Sequence, residues 1–422
     1  MSQAAPPSPP HQRWNFFAFL VDYVCFGVAF TFIDVNAVLP AFVGQLTDSA
    51  PVIGLVSTIF SGGWLLPQLA VARHINDKPR KKPYLLVGTS GRIFMAVITL
   101  ALWLGLARFP VAMLTLFFVS LGFFAASDGL ASVAWFDILA RAVPLKRRGR
   151  LIGSAQFIVG TAGVGVGALV GLILKRYSFP NNYALLFTLA SVTLIPSVIA
   201  LSLIREPPPE DVNQKANGQA MGDWLKLLGS DPAFRRLMVC RMLVGMMGLA
   251  TPFYVVHASD VLHLPRGVIG DFVVAQTVAG MVASITLGFV SERWGPRYVI
   301  RIGSAAAALG PLFALAAHLV GSDWLTWAYP FVYVALGVVN SAWMQGFFNY
   351  LLEIAPAGMR PAYIGLGNTI MGALTLAPMA GGWLLEATSY AALFGVTAAF
   401  VAFGFLFTLG LKPPRSAALV ED

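Results

Sequence analysis

Charge is scarce along this chain. Only 11% of its 422 residues are Asp, Glu, Lys or Arg, against about 25% in an ordinary soluble domain, so a water-facing surface could not be covered. The mean hydropathy is +0.74, and the apolar residues fall into twelve blocks of about 20–30. A helix of about 20 residues crosses the ~30 Å hydrocarbon core of a bilayer. Without water to satisfy the backbone, such blocks must be helical. They read as spans at 15–43, 52–72, 84–106, 111–140, 150–174, 183–204, 235–262, 267–291, 298–320, 325–354, 361–386 and 390–411. The expected fold class is therefore all-α, a polytopic membrane protein.

The net charge of +9 would suit nucleic-acid binding, but its placement argues otherwise. Arg108, Lys175, Arg176 and Arg266 fall in loops on one side, and Arg92 and Arg241 lie inside spans. The rest of the 28 Lys and Arg lie on the other side, in clusters such as Arg80, Lys81, Lys82 and Lys146, Arg147, Arg148. Short loops rich in Lys and Arg stay in the cytoplasm, which places both termini there. Cys25 and Cys240 are the two cysteines, both within spans, so a disulfide framework is excluded. Span one is too long for a cleaved signal peptide and is expected to remain.

The chain repeats itself. Pro144, Arg148, Ile152, Gly153, Gln156, Ile158 and Gly160 recur as Pro356, Arg360, Ile364, Gly365, Asn368, Ile370 and Gly372, at an offset of 212. Asp77, Lys78, Lys82 and Gly88 recur as Glu292, Arg293, Arg297 and Gly303, and Val52-Ile53-Gly54 as Val268-Ile269-Gly270. Six spans per repeat is an even number, so both halves insert the same way up, related by an axis along the membrane normal. The division expected is a tail at 1–14, a six-helix bundle at 15–204, a linker at 205–234, a second bundle at 235–411 and a tail at 412–422. The linker opens Glu206-Pro207-Pro208-Pro209-Glu210, too polar and proline-rich to pack. Met221, Trp224, Leu225 and Leu228 then suggest a short helix lying in the interface.

Twelve spans in two halves, with Gly288, Glu292, Arg293, Gly295 and Arg297 after span eight, resemble the major facilitator superfamily of secondary transporters. The first-half copy, Asp77-Lys78-Pro79-Arg80-Lys81-Lys82, lacks both glycines. The resemblance implies that spans one, four, seven and ten line a central cavity. It also implies that Asp77, Lys78, Lys82, Arg148, Glu292, Arg293, Arg297 and Arg360 form a cytoplasmic gate.

A charge in mid-membrane costs about 2.5–3.5 kcal/mol on insertion scales, so each one needs a partner, a watery cavity or a function. In span four, Asp128, Ser132 and Trp135 share a helical face; in span ten, Asn340, Trp343 and Phe347 do the same, and Asp128 aligns with Asn340 in the repeat. Together with Asn36 these are the expected substrate-cavity residues. Asp128, Asp34 and Asp22 are the candidates for proton or cation coupling, since dry surroundings disfavour the charged carboxylate. Asp22 and Asp34 lie about 120° apart on an ideal helix, so one is free to face the cavity while the other pairs with a neighbouring helix. Asp137 is placed to pair with Arg141 four residues on, with Arg92 also in reach; His257 is placed to pair with Asp260 near the outer rim, and Arg241 to snorkel to the interface. The Gly163, Gly165, Gly167, Gly171 string has no preceding strand and reads as helix packing rather than a dinucleotide site.

No metal-ligand spacing, nucleophile constellation or phosphate loop is present, so neither enzyme activity nor a cofactor is expected. The expected partners are the bilayer, a small-molecule substrate and an ion gradient, with no nucleic acid. The reading is a proton-coupled transporter of an amphipathic or cationic organic molecule, working by alternating access, with export as its direction. A uniporter or nutrient symporter of the same fold, and a non-transporting sensor or assembly factor, stand as the alternatives. The charge asymmetry makes one direct prediction. A fluorescent protein fused after Asp422 should fluoresce and alkaline phosphatase fused there should be inactive; the opposite pair of results would invert the topology.

Overall fold

The computed structural model describes residues 11–76, 78–208, 228–356 and 359–413. Among these, twelve helices are long and apolar enough to cross a membrane: Gln12–Phe32, Ala50–Gln68, Lys82–Trp103, Pro110–Ala142, Arg147–Arg176, Asn181–Ser202, Pro232–Asp260, Val268–Trp294, Pro296–Val320, Phe331–Ile354, Tyr363–Ala387 and Tyr390–Leu409. These are spans one to twelve below. An even number of crossings puts both termini on one side, the terminal side.

Contacts sort the chain into two compact units. The first holds residues up to Ile33, Ile59–Ala162 and Phe179–Ala216; the second holds Asp34–Thr58, Gly163–Ser178 and the chain from Asn217 onward. In the first unit span one runs along span six, and span three along span four. Its core near the terminal side gathers Phe19, Leu85, Ile138, Leu139 and Leu201. Span three kinks where Gly88 and Gly91 bring its backbone against Ala131 and Ser127 of span four.

Span one is not one continuous helix. It stops at Phe32, and a second short helix, Val38–Val43, follows after a break. The break follows from its sequence: Asp34 and Asn36 offer the backbone side-chain acceptors that compete with helical bonding. Oδ1 of Asp34 accepts from the backbone N–H of Asn36 (2.9 Å) and of Ala37 (2.8 Å), a turn that precedes the second piece. The angular separation expected for Asp22 and Asp34 on an unbroken helix therefore does not apply.

In the second unit, span eight lies along span ten and span nine along span twelve. Glycines set the closest approaches. Gly167 and Gly171 of span five meet Val274 and Gly270 of span eight, and Gly54 of span two meets the Pro378 carbonyl of span eleven. Small residues let helix backbones touch where lipid provides no hydrophobic drive, which accounts for the span-five glycine string. Spans seven and eleven are both broken, by 3₁₀ turns at Met246–Leu249 and Ala373–Leu376. Gly245 faces Leu374, and Gly381 faces Leu249, across these breaks. Span ten carries a π-helical stretch, Trp343–Phe348. The positive φ of Gly295 (87°) turns the chain between spans eight and nine, a conformation that glycine adopts without steric cost.

The start of the linker is packed, contrary to expectation. Glu206 accepts from the backbone N–H of Lys81 (2.7 Å) and Lys82 (3.0 Å) and pairs with Arg141 at 2.8 Å. A single carboxylate meets the free amides at the start of span three. Of the expected interfacial helix, Leu228 is described, whereas Met221, Trp224 and Leu225 lie outside the described residues. At Gly270 a methyl group would overlap the Gly171 nitrogen and the Gly167 carbonyl. Gly270→Ala should therefore lower unfolding stability by about 1–3 kcal/mol, read as an earlier thermal transition in detergent; an unchanged transition would mean that spans five and eight do not pack this closely.

Candidate functional site: ionisable groups within the spans

Among the described residues of the first unit, three side chains that carry charge lie at depth: Asp22, Arg92 and Asp128. Asp22 and Arg92 are buried and paired, Arg92 Nη1 standing 3.1 Å from Asp22 Oδ1. Ser197 bonds the same carboxylate oxygen and Arg92. The Trp135 indole N–H donates to Asp22 Oδ2 at 2.8 Å, and the Arg92 guanidinium lies over the Phe26 ring, 4.9 Å from its centroid. Arg92 thus serves Asp22 and not Asp137, whose partner is Arg141 at 2.6 Å. Asp22 is matched by Arg92, and the Trp135 indole N–H is taken up by it. Ser132 is likewise satisfied within its own helix, donating to the Gly129 carbonyl at 2.8 Å.

Asp128 differs. It is half-buried and forms no ion pair among the described residues. The Trp64 side chain reaches its carboxylate, and Arg92 acts on it from a distance, but Arg92 bonds Asp22 and Ser197 through Nη1, and its Nε has no partner. Gly129, the next residue, lets span four abut the Trp64 backbone.

The second unit collects Asp34, Asn36 and Gln276. Gln276 of span eight donates from Nε2 to Asp34 Oδ2 at 3.0 Å and accepts from Asn36 Nδ2 at 3.3 Å. The sequence reading named Asp34 and Asn36 but missed Gln276, an amide in an otherwise apolar run; its signal was the cost of burying an amide without a partner.

Span ten departs from the expected face. Phe347 is buried in the core of the unit with Tyr350 and Leu351, Trp343 touches it at 5.0 Å between ring centroids, and the Asn340 side chain is exposed. The α-helical spacing that aligned the three does not hold through the π stretch, which adds a residue to the turn. Arg241 also departs from expectation. It is 5% exposed, with its guanidinium over the Trp343 ring at 5.1 Å, and does not snorkel. His257 is fully buried and bonds Tyr329 (3.0 Å) and His318 (3.1 Å) instead of forming a rim pair with Asp260. On the side opposite the termini, a cavity of about 400 Å³ is lined by Asp48, Asp260, Glu386, His318 and Tyr390. Glu386 Oε1 there accepts from Ser49 Oγ (2.9 Å) and Ala50 N (3.0 Å), at the start of span two.

The expected gate residues do not pair with one another among the described residues. Arg148 bonds the Val143 and Ala140 carbonyls, closing the end of span four. Lys78 and Glu292 are exposed, and the Lys82 backbone binds Glu206. Arg293 and Arg297 lie over their neighbours Trp294 and Tyr298. Adjacent residues on a helix point apart, so Glu292 and Arg293 have no geometry for pairing. Asp77 and the side chain of Arg360 lie outside the described residues.

Twelve helices long and apolar enough to cross a membrane, among the described residues, define a polytopic helical protein of the membrane-spanning class. The sequence profile of the Major Facilitator Superfamily matches residues 23–374 and 237–421, and the chain belongs to that superfamily. Solved structures agree in fold. A bacterial homologue of the iron transporter ferroportin, inward-facing, superposes with a TM-score of 0.73 at 14% identity, covering 94% of this chain and 98% of that one. A nucleoside transporter gives 0.67 at 13% (95% and 100%), and the xylose transporter of E. coli, inward open, gives 0.65 at 16% (96% and 96%). Among curated sequences, an uncharacterised protein of Mycobacterium tuberculosis is 23% identical over 267 residues, 62% of this chain. The chain spans about half the length of the curated relatives it matches, 51%.

Removing one partner of a buried ion pair strands the other and costs about 3–5 kcal/mol. Asp22→Asn and Arg92→Met should each lower the thermal transition of the purified protein, and the double variant should recover part of the loss. A wild-type transition in Asp22→Asn would show that the pair is not structural.

Proposed function

We propose that the protein is a secondary active transporter in a cell membrane, moving a small amphipathic organic solute by alternating access and coupled to protons through Asp128. Its superfamily supports transport, and the single observation that carries the coupling is the isolation of Asp128. A carboxylate at mid-span with no cation committed to it is stable in lipid if it can take up a proton or exchange with water in a cavity. Asp22 cannot play that part, because protonating it would strand Arg92. Asp34 is the second candidate: the Gln276 amide that holds it also accepts from Asn36, and an amide can serve a carboxyl in either protonation state.

In this scheme the two six-helix halves alternately open a shared site to each side of the membrane. Binding of solute and proton together permits the change of access, so the gradient of one drives the other. Asp128 exchanges its proton with water on whichever side is open.

The test is flux in proteoliposomes. Reconstituted protein, screened against a library of small organic solutes under an imposed pH gradient, should accumulate at least one of them. Asp128→Asn should abolish gradient-driven accumulation and retain exchange of that solute between the two sides. Undiminished accumulation in Asp128→Asn would remove Asp128 from the coupling, and no flux of any solute under any gradient would favour a non-transporting role.

A further inference from the structure

We propose that Arg241 is the anchor for an acidic group, a carboxylate or a phosphate monoester, on the solute this protein carries. The inference rests on the transporter reading above, because it names the chemistry of the cargo. It also replaces the cationic cargo expected from the acidic residues of spans one and four.

Burial without compensation is the first ground. Arg241 is 5% exposed, yet its Nε and Nη1 have no hydrogen-bond partner. Among the described residues no carboxylate pairs with it. An arginine stays charged at any physiological pH, and a buried charge is strongly unfavourable unless it is paired and hydrogen-bonded. The Asp22–Arg92 pair in the first unit shows how this chain treats an arginine whose task is structural: both ions are buried, and they lie 3.1 Å apart.

The second ground is geometry. The guanidinium carbon lies over the Trp343 ring, 5.1 Å from its centroid. The N–H fork keeps Nε and Nη1 without partners. Such a fork matches two oxygens of a carboxylate or phosphate. Gly367 of span eleven stands beside the fork; a Cβ there would lie 3.4 Å from Nη1.

The third ground is location. Arg241 lies nine residues past Pro232, the start of span seven, which is about 14 Å of helical rise. That is close to half the hydrocarbon thickness, deeper than a lipid headgroup sits. The 3₁₀ break of span seven begins at Met246, little more than one turn beyond, against the break of span eleven. Irregular backbone at membrane depth is tolerated where protein buries it or where it lines a cavity, and broken helices of this kind frame substrate sites in transporters.

The experiment is equilibrium stabilisation of the purified full-length protein in detergent, which requires no transport. The soluble probes are inorganic phosphate and benzoate, with chloride at matched ionic strength as the control. A parallel sample receives phosphatidylglycerol, to separate a lipid source of the same chemistry. Wild-type protein should melt higher with phosphate or benzoate than with chloride, saturably. Arg241→Gln should weaken that apparent affinity on the order of 100-fold. Arg241→Lys, which keeps the charge but not the fork, should fall between. Without added anion, Arg241→Gln should melt no lower than wild type, since it removes an uncompensated charge. The proposal is overturned if neither soluble anion stabilises the wild type, if only phosphatidylglycerol does, or if the shift persists in Arg241→Gln. It is also overturned if anion-free Arg241→Gln melts lower, the mark of a structural arginine. Should that variant fail to fold, a wild-type response in Arg241→Lys overturns it equally. Loss of flux with anion binding intact would count against the transport scheme and not against this site.

Discussion

The cost of holding charge away from water organises this protein. Each ionised group that twelve apolar helices enclose must be matched, hydrated or left waiting for something. The chain does each in a different place. Asp22 and Arg92 are matched, with Ser197 and Trp135 occupying further positions around them. Asp34 is held by two backbone amides and an amide side chain. Asp128 and Arg241 have no opposite charge committed to them among the described residues. Removing a matched ion breaks a structure, whereas removing a waiting ion removes a capacity.

Backbone irregularity follows the same division. Spans one, three, seven, ten and eleven are interrupted, whereas span six and span twelve run unbroken. Three of the interruptions lie near a charged group: Asp34 at the break of span one, Arg92 at that of span three and Arg241 ahead of that of span seven; Trp343, which lies under Arg241, opens the π stretch of span ten. Glycines close the remaining space. Gly54, Gly171, Gly270 and Gly381 each sit where a side chain would meet another helix's backbone. Tight glycine contacts and local breaks let one apolar scaffold combine rigid seams with a few polar positions.

Much of this was legible in the sequence, because hydrocarbon thickness imposes a length on every span and the superfamily's loop motif survives as Gly288, Glu292, Arg293 and Gly295. The site was legible only by residue type. That Asp22, Asp34, Asp128 and Arg241 mattered followed from the cost of charge, but who partners whom depends on helix rotation, and a one-dimensional pattern does not contain it. The i,i+4 spacing paired Asp137 with Arg141, as the structure has it, but did not show that Arg92 turns to Asp22 on span one. Two further misses have a common cause. A shared helical face requires 3.6 residues per turn, which the break at Asp34 and the π stretch that holds Trp343 and Phe347 both interrupt. His257 was placed in a solvated rim because it lies near a span end, whereas Tyr329 and His318 bury it.

If matched ions are fixed and unmatched ones respond, the carboxyls of this protein must differ in whether they exchange protons with solvent. Infrared difference spectroscopy between acid and alkaline pH reads this directly, through the stretch of protonated carboxyl groups shielded from water. The account predicts a band in the wild type that vanishes in Asp128→Asn and survives in Asp22→Asn. A band that survives in Asp128→Asn and vanishes in Asp22→Asn would contradict it, because the ion paired with Arg92 would then be the one that titrates.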